Sequence, residues 1–134
     1  MTCFSGLIEA LRAEFQQYGE MLARFDDQGT LLALSAPEEV LARLEALEDQ
    51  EKAVGMAVGR REQIQRRLAR RLSLPEAADL ADILPLLPPQ HQLVMRALMD
   101  ENKELSVRVQ QCAELKRQFL RRSLYLMEGR LLTA

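Results

Sequence analysis

The sequence has few of the residues that interrupt helices or build β-sheets. Its 134 residues include only six glycines and five prolines, and tryptophan is absent. Valine, isoleucine and threonine are scarce, and they never alternate with polar residues as they would in a half-buried strand. The commonest residues are instead leucine, alanine, arginine and glutamate, all of which favour helices. The composition therefore predicts an all-α protein.

The chain also lacks a large net charge and a long apolar run. A formal charge of −2 gives no general attraction to nucleic acid or to an anionic membrane surface. No stretch approaches the roughly 18 uncharged apolar residues that a membrane-spanning helix needs. The first residues have no basic region ahead of an apolar one, as a secretory signal would have. We expect a cytoplasmic protein that does not insert into a membrane.

Residues that commonly bind metals or act in catalysis are few or lie far apart in the sequence. Cys3 and Cys112 lie far apart in the sequence and His91 is the only histidine, so neither a clustered metal site nor a paired nucleophile and base is indicated. Carboxylates are plentiful, but they are spread along helix faces, and no glycine-rich phosphate loop is present. The sequence therefore predicts no enzyme activity, no metal and no cofactor.

The first 25 residues carry an apolar stripe whose spacings alternate between four and three, as in an amphipathic helix buried along one side. The stripe predicts a helix over about 4–27. It includes four of the six aromatic residues of the chain, so this helix should supply a bulky part of the core. Such a stripe suits an intramolecular bundle or a homodimer equally well. Its members are Phe4, Ile8, Leu11, Phe15, Tyr18, Leu22 and Phe25.

Two further long helices follow from start signals and periodicity. Ser35 ahead of Pro37 and Glu38 is typical of a capped helix start and predicts a helix over about 36–72. A last helix is predicted from about 89 to 132, beginning near Pro89. Its expected core seam consists of Val94, Leu98, Leu105, Cys112, Leu115, Phe119 and Leu126.

The insert between these helices repeats the Ser-x-Pro-Glu pattern at Ser73 to Glu76, which predicts a short helix over about 75–84. Prolines at 85, 88 and 89 then turn the chain towards the last helix. We expect apolar residues of this corner to cover the end of the core: Leu80, Ile83, Leu84, Leu86 and Leu87. The whole chain, 1–134, is thus predicted to be one domain, an elongated antiparallel bundle of three long helices with a short helix in the 73–88 insert.

Two features of the second helix admit a functional interpretation. Six arginines lie between Arg60 and Arg71, a density that could neutralise phosphates of DNA or RNA, or could simply match the helix dipole on a solvated face. The dipole interpretation is favoured because the first half of the same helix is acidic. Gly55 and Gly59, four residues apart, can permit close helix packing or mark a bend.

The C-terminal segment, residues 115–134, is apolar over more than half of the helix circumference, which exceeds the need of one seam. Part of it is expected to bind another protein, although a three-helix core could also absorb it. The candidate partner-binding residues are Phe119, Leu120, Leu124, Tyr125, Met127 and Leu131.

The order of these elements resembles the FlgN family of flagellar type III export chaperones over essentially the whole chain. The resemblance rests on Leu41, Leu44 and Leu47 with Lys52 in the long charged helix, then on Leu74-Pro75 and on Leu86-Leu87-Pro88 in the insert. None of these residues is a catalytic signature.

The resemblance implies a cytoplasmic chaperone that holds the disordered ends of hook-filament junction proteins of the FlgK and FlgL type before export. In that family the C-terminal helix binds the client, which corresponds here to residues from about Leu115 onward. An aromatic residue in this region would dock on the export gate, and Tyr125 is the matching tyrosine. The sequence departs from relatives that carry asparagines in this helix, since it has Val109-Gln110-Gln111-Cys112 followed by arginines. The alternative is a coiled-coil scaffold or nucleic-acid-associated protein that uses the Arg60–Arg71 face.

Overall fold

The structure is a computed structural model that describes residues 3–28 and 36–133, with side chains described for 4–25 and 36–129. Helix α1 spans Cys3–Gln28, α2 spans Pro37–Arg71, α3 spans Leu80–Ile83, and α4 spans Pro89–Thr133. A single 3₁₀ turn, Leu84–Leu86, joins α3 to the start of α4. No strand occurs in the described residues, which confirms the all-α prediction. The three long helices begin and end within about two residues of the predicted positions.

Helices α1 and α4 run parallel to one another. The side chain of Asn102 donates a hydrogen bond to the backbone carbonyl of Leu11, at 3.0 Å. Further along, the Lys116 amine lies 5.6 Å from the centre of the Phe25 ring. Both pairs are separated by 91 positions, so the two helices keep one register over these turns.

Helix α2 runs antiparallel to both of its neighbours. Arg61, in its second half, contacts Glu14 of α1, whereas Glu51, in its first half, bonds to Arg117 in the second half of α4. These contacts are consistent with the predicted all-α bundle. The packing forms two apolar clusters, one towards the corner and one towards the opposite end. The corner cluster contains Leu7, Leu11, Leu68, Ile83, Leu87 and Met95, and the second contains Tyr18, Met21, Leu47, Val109 and Ala113.

The corner prediction is confirmed for four of its five residues. Ile83 and Leu87 are buried within the corner cluster, and Leu80 and Leu84 pack against it. Leu86 is exposed, because it lies on the outer side of the 3₁₀ turn. The insert therefore closes one end of the bundle, as expected from its apolar composition.

The start of α3 differs from the prediction. Ser73 does not cap a helix; it has a φ of 59° and terminates α2 with a backbone bond to Arg70. Residues after it form a turn, and α3 begins only after Asp79. The Asp79 side chain accepts from the Asp82 amide while the Asp82 side chain accepts from the Asp79 amide. This reciprocal cap satisfies two orphan donors, so the helix starts about five residues later than predicted.

No described side chain caps the start of α2. Ala36 occupies the N-cap position and Pro37 opens the first turn. The proposed cap, Ser35, lies outside the described residues, as does the rest of the segment 29–35. Glu38 and Glu39 nevertheless lie in the first turn and Arg70 and Arg71 in the last, which is the order that the helix dipole favours.

The predicted core seam of α4 is confirmed for Leu98 and Leu105, which pack against the two clusters. It is wrong by one residue elsewhere, and its exposed members are Val94, Leu115, Phe119 and Leu126. The buried positions are Met95, Asn102, Val109, Ala113 and Leu120. The predicted seam assumed that the largest apolar residues face inward. Small alanine and polar asparagine occupy inward positions instead, so several of the large residues lie outside.

A similar displacement occurs on α1. Glu14 is buried in the bundle at 3% exposure, while its neighbour Phe15, which the stripe assigned to the core, is 40% exposed. The inward face follows Leu7, Leu11, Glu14 and Tyr18, whose spacing also alternates between three and four. Phe15, one position after the inward residue Glu14, therefore lies on the flank of the helix.

Candidate partner-binding surface

Large apolar side chains lie exposed along one side of α4, towards its C-terminal end. Leu115 is 68% exposed, Phe119 is 47% exposed and Leu126 is 53% exposed. The spacings of four and seven residues place all three on one helix face. We call these three residues the α4 strip. Arg122, also exposed, lies within the strip between Phe119 and Leu126.

The strip is exposed because it lies on the side of α4 that faces away from buried residues such as Ala113 and Leu120, and the last part of α4 also has fewer neighbouring helices. The register of α1 and α4 places the end of α1, at Gln28, level with position 119 of α4. Beyond that level, α2 is the only described helix that accompanies α4. A two-helix contact covers less of the helix circumference than a three-helix contact, so part of the apolar surface has no covering helix among the described elements.

The structure divides the predicted partner-binding residues into three groups. Phe119 and Tyr125 are exposed, Tyr125 at 75%. Leu124 and Met127 are half-buried. Leu120 is 1% exposed and belongs to the core, so it cannot form part of a surface in this conformation. The Leu131 side chain lies outside the described residues. Leu115 and Leu126, which the sequence assigned to the seam, join the exposed set instead.

Positive charge surrounds the strip. Arg121 and Arg122 are exposed, and residues 115–130 contain five basic residues but only one acidic residue. Arg117 is held towards α2 by a hydrogen bond to Glu51, and it donates a second one to Glu114 of its own helix. The bond to Glu51 is the main reason that the pKa of Arg117 is raised.

Lys116 lies on the opposite flank of the same turn, over the Phe25 ring of α1. Partial burial lowers the pKa of its amine, and the nearby positive charge of Arg43 lowers it further. The ammonium gains from the ring face but loses hydration. This residue therefore fixes α1 beside α4 at the point where the strip begins.

A buried polar cluster connects the three long helices at mid-height, and the sequence analysis did not identify it. The Arg61 Nε donates to Glu14 Oε1 at 2.9 Å, and the Tyr18 hydroxyl donates to Glu14 Oε2 at 3.1 Å. Burial raises the pKa of Tyr18, and the negative charge of Glu14 raises it further. Both carboxylate oxygens are thus engaged by side chains, so the cluster binds α1 to α2 and holds Glu14 in a structural role.

The cluster extends towards α4 and the corner. Asn102 is buried beside it at 4% exposure, and its Oδ1 accepts no hydrogen bond from the described residues. Gln65 accepts from Arg61 and donates to the carbonyl of Ala78. The sequence signal was Glu14 itself, because it keeps the three-four spacing of the inward residues of α1. Asn102 gave no comparable signal.

The arginines of the Arg60–Arg71 run differ in their contacts and in their exposure. Arg61 is directed inward to Glu14, and Arg70 contacts Glu76 at 3.5 Å. Arg60, Arg66 and Arg67 are exposed. The run therefore does not present six arginines on one face to a nucleic acid.

The described part of the chain contains neither a metal-binding cluster nor a membrane-spanning helix. There, no three His, Cys, Asp or Glu residues gather in a group that could hold a metal ion. The described helices also include none that is long and apolar enough to cross a membrane.

Comparison of the sequence with protein-family models, with curated proteins and with solved structures gave no match. The resemblance to FlgN chaperones therefore stays a prediction based on the order of the elements. The α4 strip, with its basic surroundings, is the feature on which a function can be argued from the structure.

Proposed function

We propose that the protein is a cytoplasmic export chaperone of the FlgN type, which binds the disordered ends of flagellar hook-filament junction proteins through α4. The observation that carries the proposal is the α4 strip, which exposes large apolar side chains on a bundle that already has its own core. The family resemblance supplies the class of client, and the chemistry of the surface is consistent with it.

The residues of the α4 strip would gain free energy if a partner buried them. Full burial of an exposed side chain of this kind contributes about 1.5–3 kcal/mol, and Leu115, Phe119 and Leu126, which are already partly buried, would each gain about half of that on a partner. The bundle is closed around other residues, including Leu120 on the same turn as Phe119. The exposed leucines and phenylalanine are thus available for an intermolecular contact, and their loss should not unfold the protein.

The charges around the strip indicate which client segment would bind. Exposed Arg121 and Arg122 favour a segment that carries acidic residues beside its apolar ones. Leu41, exposed near the start of α2, adds apolar surface at the same end of the bundle. An amphipathic segment with acidic flanks would therefore match both the shape and the charge of this end.

Binding would couple to folding of the client. A disordered segment loses conformational entropy when it adopts a helix on a surface, so much of the gross interaction energy is spent on ordering. The expected complex is specific but readily reversible, as a chaperone that must release its client requires. By the same resemblance, Tyr125 would remain outside the strip and contact the export gate.

Binding can be tested by calorimetric titration with the terminal segment of a hook-filament junction protein from the same organism. We expect the wild-type chain to bind it and Phe119→Glu to weaken binding by about tenfold or more, as loss of a central apolar contact does. Leu93→Glu is the matched control, since Leu93 is also exposed on the same helix, at 76%, but lies near the corner. Equal loss in both variants, or no binding by the wild type, would contradict the proposal.

A further inference from the structure

The outward side of α2 is exposed along nearly the whole helix. Its residues recur at spacings of three and four, so they form one continuous stripe opposite the buried residues Val40, Leu47 and Leu68. We call this stripe the α2 outer face. It consists of Glu38, Ala42, Glu45, Asp49, Lys52, Met56, Arg60, Gln63 and Arg67, all of which are exposed.

Charge on the α2 outer face is separated by sign. Its first half carries Glu38, Glu45 and Asp49, with Lys52 as the exception, and its second half carries Arg60 and Arg67. A helix face with opposite signs at its two ends is complementary to itself when two copies pair antiparallel. The face therefore matches a second copy of the same chain better than a partner of uniform charge.

The centre of the face is apolar and open. Met56 is 77% exposed. A Cβ placed on Gly55 or on Gly59 would meet no atom of the described residues within 4 Å, so neither glycine serves close packing among them. A groove of about 800 Å³ lies beside them between α1 and α2, and small residues form much of its wall, including Ala13, Ala53 and Ala57. A methionine side chain is flexible enough to fill such an irregular space.

We propose that two copies of this chain associate through the α2 outer face, with the two α2 helices antiparallel about a two-fold axis near Val58. In this register Asp49 of each protomer faces the partner's Arg67. Met56 lies opposite the partner's Arg60 and next to the partner's Gly59, where the missing side chain leaves room for it. The inference concerns a different surface from the α4 strip and does not depend on the identity of any client.

The expected interface is small. The stripe from Glu45 to Arg67 is about 33 Å long at 1.5 Å per residue, and a strip about 10 Å wide gives about 330 Å² per protomer before the groove is counted. A standard interface buries about 800 Å² per partner. The association should therefore be weak, and since charges on exposed faces contribute to it, it should weaken further as salt increases.

Sedimentation of the full chain over a range of concentrations, at about 0.05 M and about 0.5 M salt, tests this interface. We expect a monomer–dimer equilibrium that shifts to monomer at high salt. Asp49→Arg and Arg67→Asp should each raise the dimer dissociation constant by about tenfold or more, because each places like charges opposite one another. An equimolar mixture of the two variants should recover dimer, since every reversed charge then faces its opposite. Glu104→Arg, an equal charge change at an exposed position of α4, is the control and should leave the equilibrium unchanged.

Three results would overturn the proposal. One is a chain that stays monomeric at every concentration in low salt. Another is a dimer that both charge reversals leave intact, or that the mixture does not restore. The third is a monomer that binds an oligonucleotide through Arg67, which would make the basic half a polyanion site. Circular dichroism on each variant verifies that the helices are retained, as expected for exposed positions.

Discussion

Two regions of α4, one beside the corner and one towards the C-terminal end, differ in the burial of similar apolar side chains. Near the corner, Met95 is fully buried among residues of α1, α2 and the insert. Near the other end, Leu115 and Leu126 lie more than half exposed although they are no less apolar. The side of α4 on which each residue lies makes the difference, since Leu93 is 76% exposed beside buried Met95 and Leu120 is 1% exposed beside the strip. Hydrophobicity in the sequence indicates where burial is favourable, and the neighbouring elements decide which residues achieve it.

The largest effect on the free energy of unfolding is expected at the corner. Ile83→Ala should lower the free energy of unfolding by about 2–5 kcal/mol, because it leaves a cavity where four elements meet. The same kind of truncation at the other end, Leu126→Ala, should change it by less than about 0.5 kcal/mol. Denaturant unfolding followed by circular dichroism measures both values. A comparable loss in both variants would show that Leu126 is part of the core.

The difference should also appear as local stability along α4. Amides near Met95 and Asn102 are expected to exchange with solvent only through global unfolding, since three helices and the insert enclose them. Amides near Leu124 should exchange through a smaller opening, with a protection free energy lower by about 1.4 kcal/mol or more, that is, tenfold faster. Native-state hydrogen exchange resolved by residue gives both numbers. Uniform protection from residue 95 to residue 127 would be incompatible with the proposed difference.

The smallest expected effect is on the pKa of a tyrosine. Tyr18 lies in the bundle, whereas Tyr125 lies on its surface. Tyr125→Phe leaves Tyr18 as the only tyrosine, and its ionisation can then be followed by ultraviolet absorbance. Burial and the charge of Glu14 disfavour the phenolate, so the folded-state pKa should lie above the usual value of about 10. The neutral form thus contributes stability that is present below pH 10 and lost as the pH rises through the folded-state pKa. A midpoint at or below 10 in the folded variant would contradict the buried cluster.

Periodicity was sufficient to predict the three long helices, because each continues for several heptads without a proline. The start of α3 was missed because Ser-x-Pro-Glu is a start signal only if the residues after it stay helical. Here the Ala78 amide bonds to the carbonyl of Pro75 in a turn, and Asp79 provides the cap. Local patterns identify possible caps, but tertiary packing of the insert decides which cap is used.

The candidate site was predicted only in outline. The C-terminal segment was identified by its excess of apolar residues, but the division between Phe119 outside and Leu120 inside depends on a one-residue rotation of α4. That rotation is fixed by inward residues with weak hydrophobic signals, Asn102 and Ala113. The buried pair of Glu14 and Arg61 likewise required knowledge of which helices meet. Such pairs join residues distant in sequence, which no local period reveals.

The most direct test of the account is a nuclear magnetic resonance titration of the isotope-labelled chain with a hook-filament junction protein's terminal segment. We predict that amide shifts change mainly around Leu115, Phe119 and Leu126, while the corner near Leu93 stays unchanged. Shifts confined to the corner or to the Arg60–Arg67 part of α2, or no shifts at all, would contradict the assignment of client binding to the α4 strip.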